Sequence, residues 1–150
     1  MKKYFVYYSA SGNGDYLAEV LKEAGYELVK VEMVKPIGKI GFFKILRYGG
    51  QAMMGKKAKI QEIHLELSDD DLVVIGSPIW NDRLSTPINT VLAKYSFNKE
   101  TTEFILYPAG EGTSKSIEQL KKLGFIKEPV VIQNPLKYKD TVKEKLEKLL

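Results

Sequence analysis

The chain has 150 residues, of which 44% are hydrophobic and 28% are charged, and its formal net charge is +4. This length fits a single domain with its own core, and no apolar run is long enough to cross a bilayer. The absence of cysteine excludes disulfides, catalytic thiolates and Cys-based metal sites, and a single histidine excludes a His-rich metal site. The apolar start is only as long as a strand, so we expect no signal peptide and one cytoplasmic domain over residues 1–150.

Strand patterns alternate with helical patterns along the chain. Short apolar or alternating runs predict five strands, at residues 3–8, 26–31, 71–76, 103–107 and 129–133. Apolar residues at helical spacing predict four helices, at residues 15–24, 86–94, 116–123 and 139–150. Residues 36–59 are ambiguous, because glycines interrupt the apolar residues that could line a helix there.

The alternation of strands and helices predicts an α/β fold, in which helices cover both faces of a parallel sheet. Right-handed crossovers leave few topologies, and five strands fit the doubly wound order 2-1-3-4-5. Ligands of such sheets bind outside the carboxyl ends of the strands, near the switch between the first and third strands. Three loops meet this edge, at residues 9–14, 77–85 and 108–112.

The first loop has the composition of an anion-binding turn. It consists of Ser9, Ala10, Ser11, Gly12, Asn13 and Gly14. Its glycines allow a sharp turn that brings backbone N–H groups close to an anion, and the helix that follows adds partial positive charge. The loop has no lysine or arginine, so neutral donors would bind a phosphate. The alternative is an ordinary glycine-rich turn with a serine helix cap.

Other phosphate motifs fit this loop less well. A Walker A loop ends in Gly-Lys-Ser/Thr, which is absent here. The dinucleotide pattern could begin at Gly12 and Gly14, but Leu17 occupies its last glycine position.

The second loop carries the only tryptophan of the chain. Its candidate ligand-binding residues are Ser77, Pro78, Ile79, Trp80, Asn81 and Asp82. The proline stiffens the start of the loop, and the tryptophan ring could stack on a planar ligand. Alternatively, Trp80 packs the loop against the helix that begins at Thr86.

The third loop follows the fourth predicted strand and is rich in small residues. Its candidate residues are Ala109, Gly110, Glu111 and Gly112. Small side chains and free backbone amides let such a loop approach the edge of a ligand closely, although an ordinary connecting loop has the same composition. Together the three loops indicate a planar, phosphorylated cofactor.

At these residues the chain resembles the flavodoxins, in particular the short flavodoxin-like family. Ser9, Ser11 and Gly12 match the phosphate loop of the family, which has a threonine at the position of Gly14. The run Gly76-Ser-Pro-Ile-Trp80 matches its ring-binding loop fully, and Pro87-Ile-Asn-Thr-Val-Leu92 matches the helix that follows. The resemblance covers essentially the whole chain.

The resemblance implies a flavodoxin-like fold with a non-covalent FMN site. The phosphate would lie on residues 9–14, Trp80 would cover one face of the isoalloxazine ring, and the loop from Pro108 would flank its other side or edge. Two departures from the family pattern affect this site. Gly14 removes one hydroxyl from the phosphate loop, and Asn81-Asp82 stands where many relatives have a glycine that faces flavin N5. A residue with a side chain there would flip its peptide less easily.

A basic stretch follows the second predicted strand. Residues 33–61 contain no acidic residue, whereas they contain the basic residues Lys35, Lys39, Lys44, Arg47, Lys56, Lys57 and Lys59. The stretch could steer a redox partner protein with an acidic face, or bind a phosphate-bearing partner. Alternatively, it is a solvated surface that is balanced by the acidic residues 69–71. A small basic excess without a known motif argues against nucleic acid. His64 lies outside the three loops, so we expect an exposed or edge histidine and not a catalytic one.

Three functions remain open on the sequence alone. The leading hypothesis is an FMN-binding electron-transfer protein that shuttles electrons between redox partners, with no catalytic side chain and no metal. The alternatives are an FMN-dependent NAD(P)H oxidoreductase that acts on quinones, and a flavodoxin-fold binding module that has lost FMN. A phospho-receiver domain is excluded, because Tyr8-Ser9 and Gly76-Ser77 occupy the positions where it needs acidic residues.

Overall fold

A computed structural model describes residues 1–35, 57–110 and 112–150. Its strands are β1 (Lys3–Tyr7), β2 (Glu27–Lys30), β3 (Leu72–Trp80), β4 (Arg83–Leu84), β5 (Glu103–Pro108) and β6 (Val130–Val131). Its helices are α1 (Asn13–Glu23), α2 (Thr86–Lys94), α3 (Ser114–Lys122) and α4 (Lys139–Lys145), followed by a 3-10 turn at Glu147–Leu149. None of the helices in these ranges is long and apolar enough to cross a membrane.

The strands form one sheet in the order β2-β1-β3-β5-β6, and neighbours along this path run parallel. In the centre of the sheet, Val6 of β1 lies opposite Ile75 of β3, which lies opposite Phe104 of β5. The predicted doubly wound order is therefore confirmed. The short β4 is an addition, since it pairs antiparallel with the end of β3.

The central strands are buried on both faces, because alternate residues enter two different clusters. Val6 and Ile75 belong to the cluster that α2 and α3 cover, whereas Phe5 and Val74 belong to the cluster that α1 and α4 cover. A strand in this position needs apolar side chains on both faces. This explains why the third strand reads as an almost continuous apolar run.

The third strand ends later than the sequence predicts. We expected it to end at Gly76, with Trp80 on a loop, but β3 continues to Trp80 and forms a hairpin with β4. The turn residues Asn81 and Asp82 have φ values of 51° and 63°, which is the left-handed conformation of a two-residue type I′ hairpin turn. The predicted end at Gly76 was wrong because Pro78 follows it, and a proline, which lacks an amide donor, usually indicates the end of a strand.

Smaller differences lie at other element ends. β6 has two residues instead of the five predicted, and the last helix gives way to a 3-10 turn after Lys145. α1 and α3 each begin two residues earlier than predicted, at Asn13 and Ser114. Most of the ambiguous stretch 36–59 lies outside the described residues, so its helical pattern stays a prediction.

Candidate functional site

The loops that follow β1, β3 and β5 lie at one edge of the sheet, because these three strands are parallel neighbours. The first loop turns into α1 at Gly12, whose φ of 92° is the left-handed conformation that glycine tolerates best. The hydroxyl of Ser9 accepts a hydrogen bond from the amide of Asp15 at 3.1 Å, and the carbonyl of Gly12 accepts one from the amide of Tyr16 at 3.0 Å. These contacts fix the start of α1.

The amides at the start of α1 are available to a ligand. In the described part of the chain, no hydrogen bond uses the backbone N–H of residues 11, 12, 13 or 14 as its donor. Successive amides around a left-handed residue form a concavity that binds anions, and the helix dipole adds partial positive charge. The predicted phosphate loop therefore has the geometry of an anion site.

The carboxylate of Asp15 lies in the first turn of α1 but is paired away from these amides. Its Oδ1 lies 2.9 Å from Nζ of Lys30 on β2, and the hydroxyl of Tyr7 donates to the same oxygen at 3.5 Å. The hydrogen bond to Asp15 raises the pKa of Lys30, because the carboxylate stabilises the charged ammonium group. The ion pair with Lys30 thus offsets the negative charge of Asp15 in the first turn of α1.

Gly14 is enclosed more tightly than the sequence indicates. A Cβ at this residue would lie 2.8 Å from the carbonyl oxygen of Tyr8, 2.8 Å from the hydroxyl oxygen of Tyr107 and 2.9 Å from Cβ of Ser9. The Tyr107 hydroxyl donates a hydrogen bond to the Tyr8 carbonyl. Burial raises the pKa of Tyr107 well above its usual value, so this hydroxyl remains a donor. Gly14 is therefore required by packing, whatever its effect on phosphate binding.

Trp80 lies at the end of β3 and is only partly buried. Its ring meets the ring of Tyr8 edge to face, with centroids 5.8 Å apart and an interplanar angle of 89°. Tyr8 itself donates from its hydroxyl to Sδ of Met33 at 3.4 Å. The tryptophan is thus oriented by the strand register and by the end of β1, and Ile79 beside it is also partly buried.

The hairpin turn is tied through Asp82 to the start of α3, just after the third loop. One carboxylate oxygen accepts from the hydroxyl of Ser114 at 3.2 Å, and the other accepts from the amide of Lys115 at 3.4 Å, at the start of α3. A Cβ on Gly112 would lie 3.6 Å from the same carboxylate. The structure therefore brings Asp82 of the second predicted loop close to Gly112 of the third, with Asn81 exposed at the tip of the hairpin.

Four residues of the predicted second loop, 77–80, lie inside β3, and the first two of them are buried. Ser77 is fully buried, and its hydroxyl donates to the carbonyl of Pro78 at 2.7 Å and accepts from the amide of Ser85 at 3.1 Å. Pro78 is buried as well. The hydroxyl of Ser77 thus joins β3 to the start of α2, and cofactor binding by these two residues stays a prediction.

The third loop begins after Pro108 at the end of β5. Ala109, Gly110 and Gly112 are exposed, and Gly112 has a φ of 108°. The intervening Glu111 lies outside the described residues, so its predicted role remains untested. Small exposed residues at this place leave one side of the site accessible.

A fourth segment reaches the site, and the sequence analysis missed it. The side-chain amide of Asn134 donates to the carbonyl of Ala109 at 2.6 Å, and the backbone amide of Leu136 donates to Oδ1 of Asn13 at 3.1 Å. The sequence contains a signal for this turn, since Asn134-Pro135 is a turn dipeptide after the fifth strand. That strand also ends at the edge where ligands bind.

Other predicted features lie away from this edge. His64 is exposed, as expected. Among the described residues, no group of three or more His, Asp or Glu side chains could hold a metal ion. Of the basic stretch, the structure describes only Lys35, Lys57 and Lys59.

Neither a protein-family model nor a curated protein matches the sequence. The fold, however, is similar to that of a flavoprotein from Lactobacillus acidophilus that was crystallised in complex with FMN. This pair shares 22% identity and a TM-score of 0.71, over 93% of this chain and 97% of the other.

Two candidate flavoproteins from Bacteroides have the same architecture. The one from B. uniformis shares 18% identity and a TM-score of 0.74 over 97% of each chain. The one from B. eggerthii shares 21% identity and a TM-score of 0.67, over 98% of this chain and 96% of the other. The protein thus has the doubly wound, flavodoxin-like α/β fold of these structures.

Proposed function

We propose that this protein binds FMN non-covalently at the carboxyl edge of its sheet and transfers electrons between redox partners. The observation that carries the proposal is the set of free backbone amides at residues 11–14, next to the hairpin that bears Trp80. An anion site beside a partly exposed aromatic ring suits a phosphorylated, planar ligand. The structural likeness to a flavoprotein crystallised with FMN supports the choice of FMN among such ligands.

The first loop fits a phosphate ester without the help of a cation. The backbone amides of residues 11–14 donate no hydrogen bond within the described part of the chain, and the hydroxyl of Ser11, an exposed residue, can add a further donor. Gly14 allows the start of α1 to lie directly against β1, since any side chain there would meet Tyr8 and Tyr107. Gly14 supplies no hydroxyl to a phosphate, but its close packing holds the neighbouring backbone amides in place.

The hairpin fits the ring of the cofactor. Trp80 is held by strand pairing and by Tyr8, so little side-chain entropy is lost when it stacks on a ligand. Asn81 and Asp82 already have positive φ, which Asn and Asp tolerate better than other residues with a side chain. The turn therefore adopts a glycine-like conformation without a glycine.

The bound flavin would supply the redox chemistry, because it can accept and donate electrons. The protein contributes binding, orientation and shielding from water. Asp82 adds a carboxylate beside the third loop, and its bonds to Ser114 and Lys115 keep it there. A fixed negative charge near a flavin opposes its reduction and lowers its potential.

An FMN-dependent oxidoreductase is the second candidate, and one observation favours it. Ala109 and Gly110 are exposed, and a Cβ placed on Gly110 would meet no atom within 4 Å. A second substrate such as a nicotinamide needs open space of this kind. Steady oxidation of NADPH by the purified holoprotein would favour the oxidoreductase, whereas an electron carrier would reduce a partner protein and consume no NADPH alone.

The partner proposed for the electron carrier is a redox protein with an acidic face. Its support is the sequence from Met33 to Ile60, which has several lysines and one arginine but no acidic residue. Long-range attraction of this kind raises the rate of encounter more than the final affinity.

The decisive experiment is the visible absorption spectrum of the purified protein, before and after FMN is added. We expect flavin bands in the spectrum, together with quenching of flavin fluorescence by the nearby tryptophan. A titration that shows no binding at micromolar FMN would remove both redox functions and would leave the binding module.

A further inference from the structure

We infer that Asn134 is a positioning residue, which holds the third loop and, through the next two residues, the first loop in the arrangement that binds the cofactor. Residues 134–136 form a short segment, the strap, that contacts both loops. The inference rests on the proposed FMN site, but the strap itself is a property of the protein without ligand.

Asn134 uses both its backbone and its side chain to hold the end of β5. Its backbone amide donates to the carbonyl of Pro108 at 3.0 Å, and its side-chain amide donates to the carbonyl of Ala109 at 2.6 Å. Its own carbonyl accepts from the amide of Lys137 at 2.9 Å. Its φ of 42° is left-handed, a conformation in which asparagine is favoured over other residues with a side chain.

The other end of the strap contacts the phosphate loop. The amide of Leu136 donates to Oδ1 of Asn13 at 3.1 Å, and Cδ1 of Leu136 lies 3.0 Å from where a Cβ on Gly12 would stand. Pro135 between the two contacts is buried, and its ring fixes φ. A short segment with a rigid centre therefore spans the gap between the first and third loops.

The turn at Asn134 does not need the hydrogen bond from the Asn134 side chain to the Ala109 carbonyl. The backbone bonds to Pro108 and Lys137 would complete the turn without it. In the described part of the chain, no other side chain donates a hydrogen bond to the backbone of residues 109 or 110. Because these residues are exposed, the Asn134 amide is the contact that fixes their position. A loop that is already ordered loses less conformational entropy when a ligand binds, so binding is tighter.

The test uses two variants that remove the amide donor in different ways. Asn134→Gly keeps the left-handed backbone, and Asn134→Asp keeps the shape of the side chain but has no N–H to donate. Gln133→Ala is the matched control, since Gln133 is exposed and adjacent. Backbone amide order parameters from NMR would be measured for each apoprotein, together with affinities for FMN and riboflavin.

We expect both Asn134 variants to lower the order parameters of residues 10–14 and 109–113 together. The global unfolding midpoint in urea should change little. FMN should bind about fivefold more weakly, the factor that corresponds to one ordinary hydrogen bond, and riboflavin, which lacks the phosphate that the first loop would bind, should lose less affinity. Gln133→Ala should behave like the wild type in every measurement.

Several results would overturn the inference. If only residues 109–113 become mobile, the strap does not hold the first loop. If order is lost throughout the molecule, Asn134 supports the fold and positions nothing in particular. If the wild type binds no FMN, the proposed function fails, and the order parameters still decide whether the strap exists.

Discussion

The hydroxyl oxygen of Tyr107 lies 2.8 Å from the point where a Cβ on Gly14 would stand. The carbonyl oxygen of Tyr8, which accepts the hydrogen bond of Tyr107, is equally close to that point. A backbone carbonyl and a fully buried ring cannot move away cheaply. The identity of residue 14 is therefore set by the Tyr8 carbonyl beside it and by Tyr107 on β5, which is far away in the sequence.

Gly14→Thr should destabilise the protein, although the flavodoxin-like phosphate loop has a threonine at this position. We expect a loss of about 1–3 kcal/mol in the free energy of unfolding, measured in urea, because the added side chain overpacks the junction. Gly14→Ala should also destabilise the protein. Adding Tyr107→Phe to it should recover only part of the lost free energy of unfolding, since the Tyr8 carbonyl remains in the way. Unchanged stability together with tighter FMN binding would contradict this account.

Trp80→Ala should weaken FMN binding by about 1–3 kcal/mol, the range found for aromatic residues that stack on bases. Isothermal titration would measure the affinity, and Trp80→Phe, which retains an aromatic face, should lose less. A fall in thermal stability is also expected, since Tyr8 loses its edge-to-face contact. If stability falls while FMN affinity stays the same, Trp80 only packs and does not stack.

Gly12→Val should weaken FMN binding more than riboflavin binding. The substitution strains a backbone with a φ of 92°, and its Cβ would press on Leu136 at 3.0 Å. Both effects displace amides that face the phosphate, which riboflavin lacks. The comparison is a pair of fluorescence titrations, and equal losses for the two ligands would argue that the loop does not contact phosphate.

Tyr26 makes the stability of the fold sensitive to alkaline pH. Its hydroxyl donates to the carbonyl of Leu149 at 2.6 Å, and burial, with a contribution from Glu103, raises the pKa of Tyr26 to about 12. Since the folded state holds this proton more tightly than the unfolded state, whose pKa is 10.0, the stabilisation is complete below pH 10 and is lost towards pH 12.

Tyr26→Phe is the matching variant. At neutral pH it should be less stable by about 1 kcal/mol, the usual net value of one hydrogen bond. This gap to the wild type should narrow as the pH rises from 10 to 12, as urea unfolding at a series of pH values would show. A constant gap would mean that Tyr26 does not titrate in this range.

The basic stretch gives a prediction about kinetics. Reversal of Lys44, Arg47, Lys56 and Lys57 to glutamate should slow electron transfer to an acidic partner and should leave the flavin spectrum unchanged. In the wild type the rate should fall as salt rises, because steering acts over a Debye length of about 8–10 Å. Equal rates for the two proteins at low salt would favour a solvated surface without a specific partner.

Local patterns in the sequence were sufficient to predict the order of the strands in the sheet and the positions of most helices. The apolar spacing of Leu17 and Leu21 placed α1, and both residues are fully buried. The hairpin after β3 was missed, since Asn81-Asp82 is a weaker turn signal than Asn-Gly and Pro78 precedes it. No local pattern could reveal the full reason why residue 14 is a glycine, because part of that reason is its close approach to Tyr107.

The strap was missed for a similar physical reason. The hydrogen bond between Asn13 and Leu136 joins residues 123 positions apart, and such pairings leave no periodic trace in the sequence. The motif at Asn134-Pro135 indicates a turn but does not indicate what the turn touches. Candidate residues on separate loops could be named from the sequence, whereas the contacts between the loops required coordinates.

The length of β3 has a thermodynamic consequence. One uninterrupted strand carries Val73 in the core and Trp80 at the site, and it pairs with β5 as far as Ile79 opposite Pro108. The aromatic side of the site therefore cannot melt as a separate unit without breaking the central ladder. A ligand bound there at one hundred times its dissociation constant would add about 2.7 kcal/mol to the cooperative unfolding of the whole domain. Heat denaturation of the intact protein should thus report occupancy of the site directly.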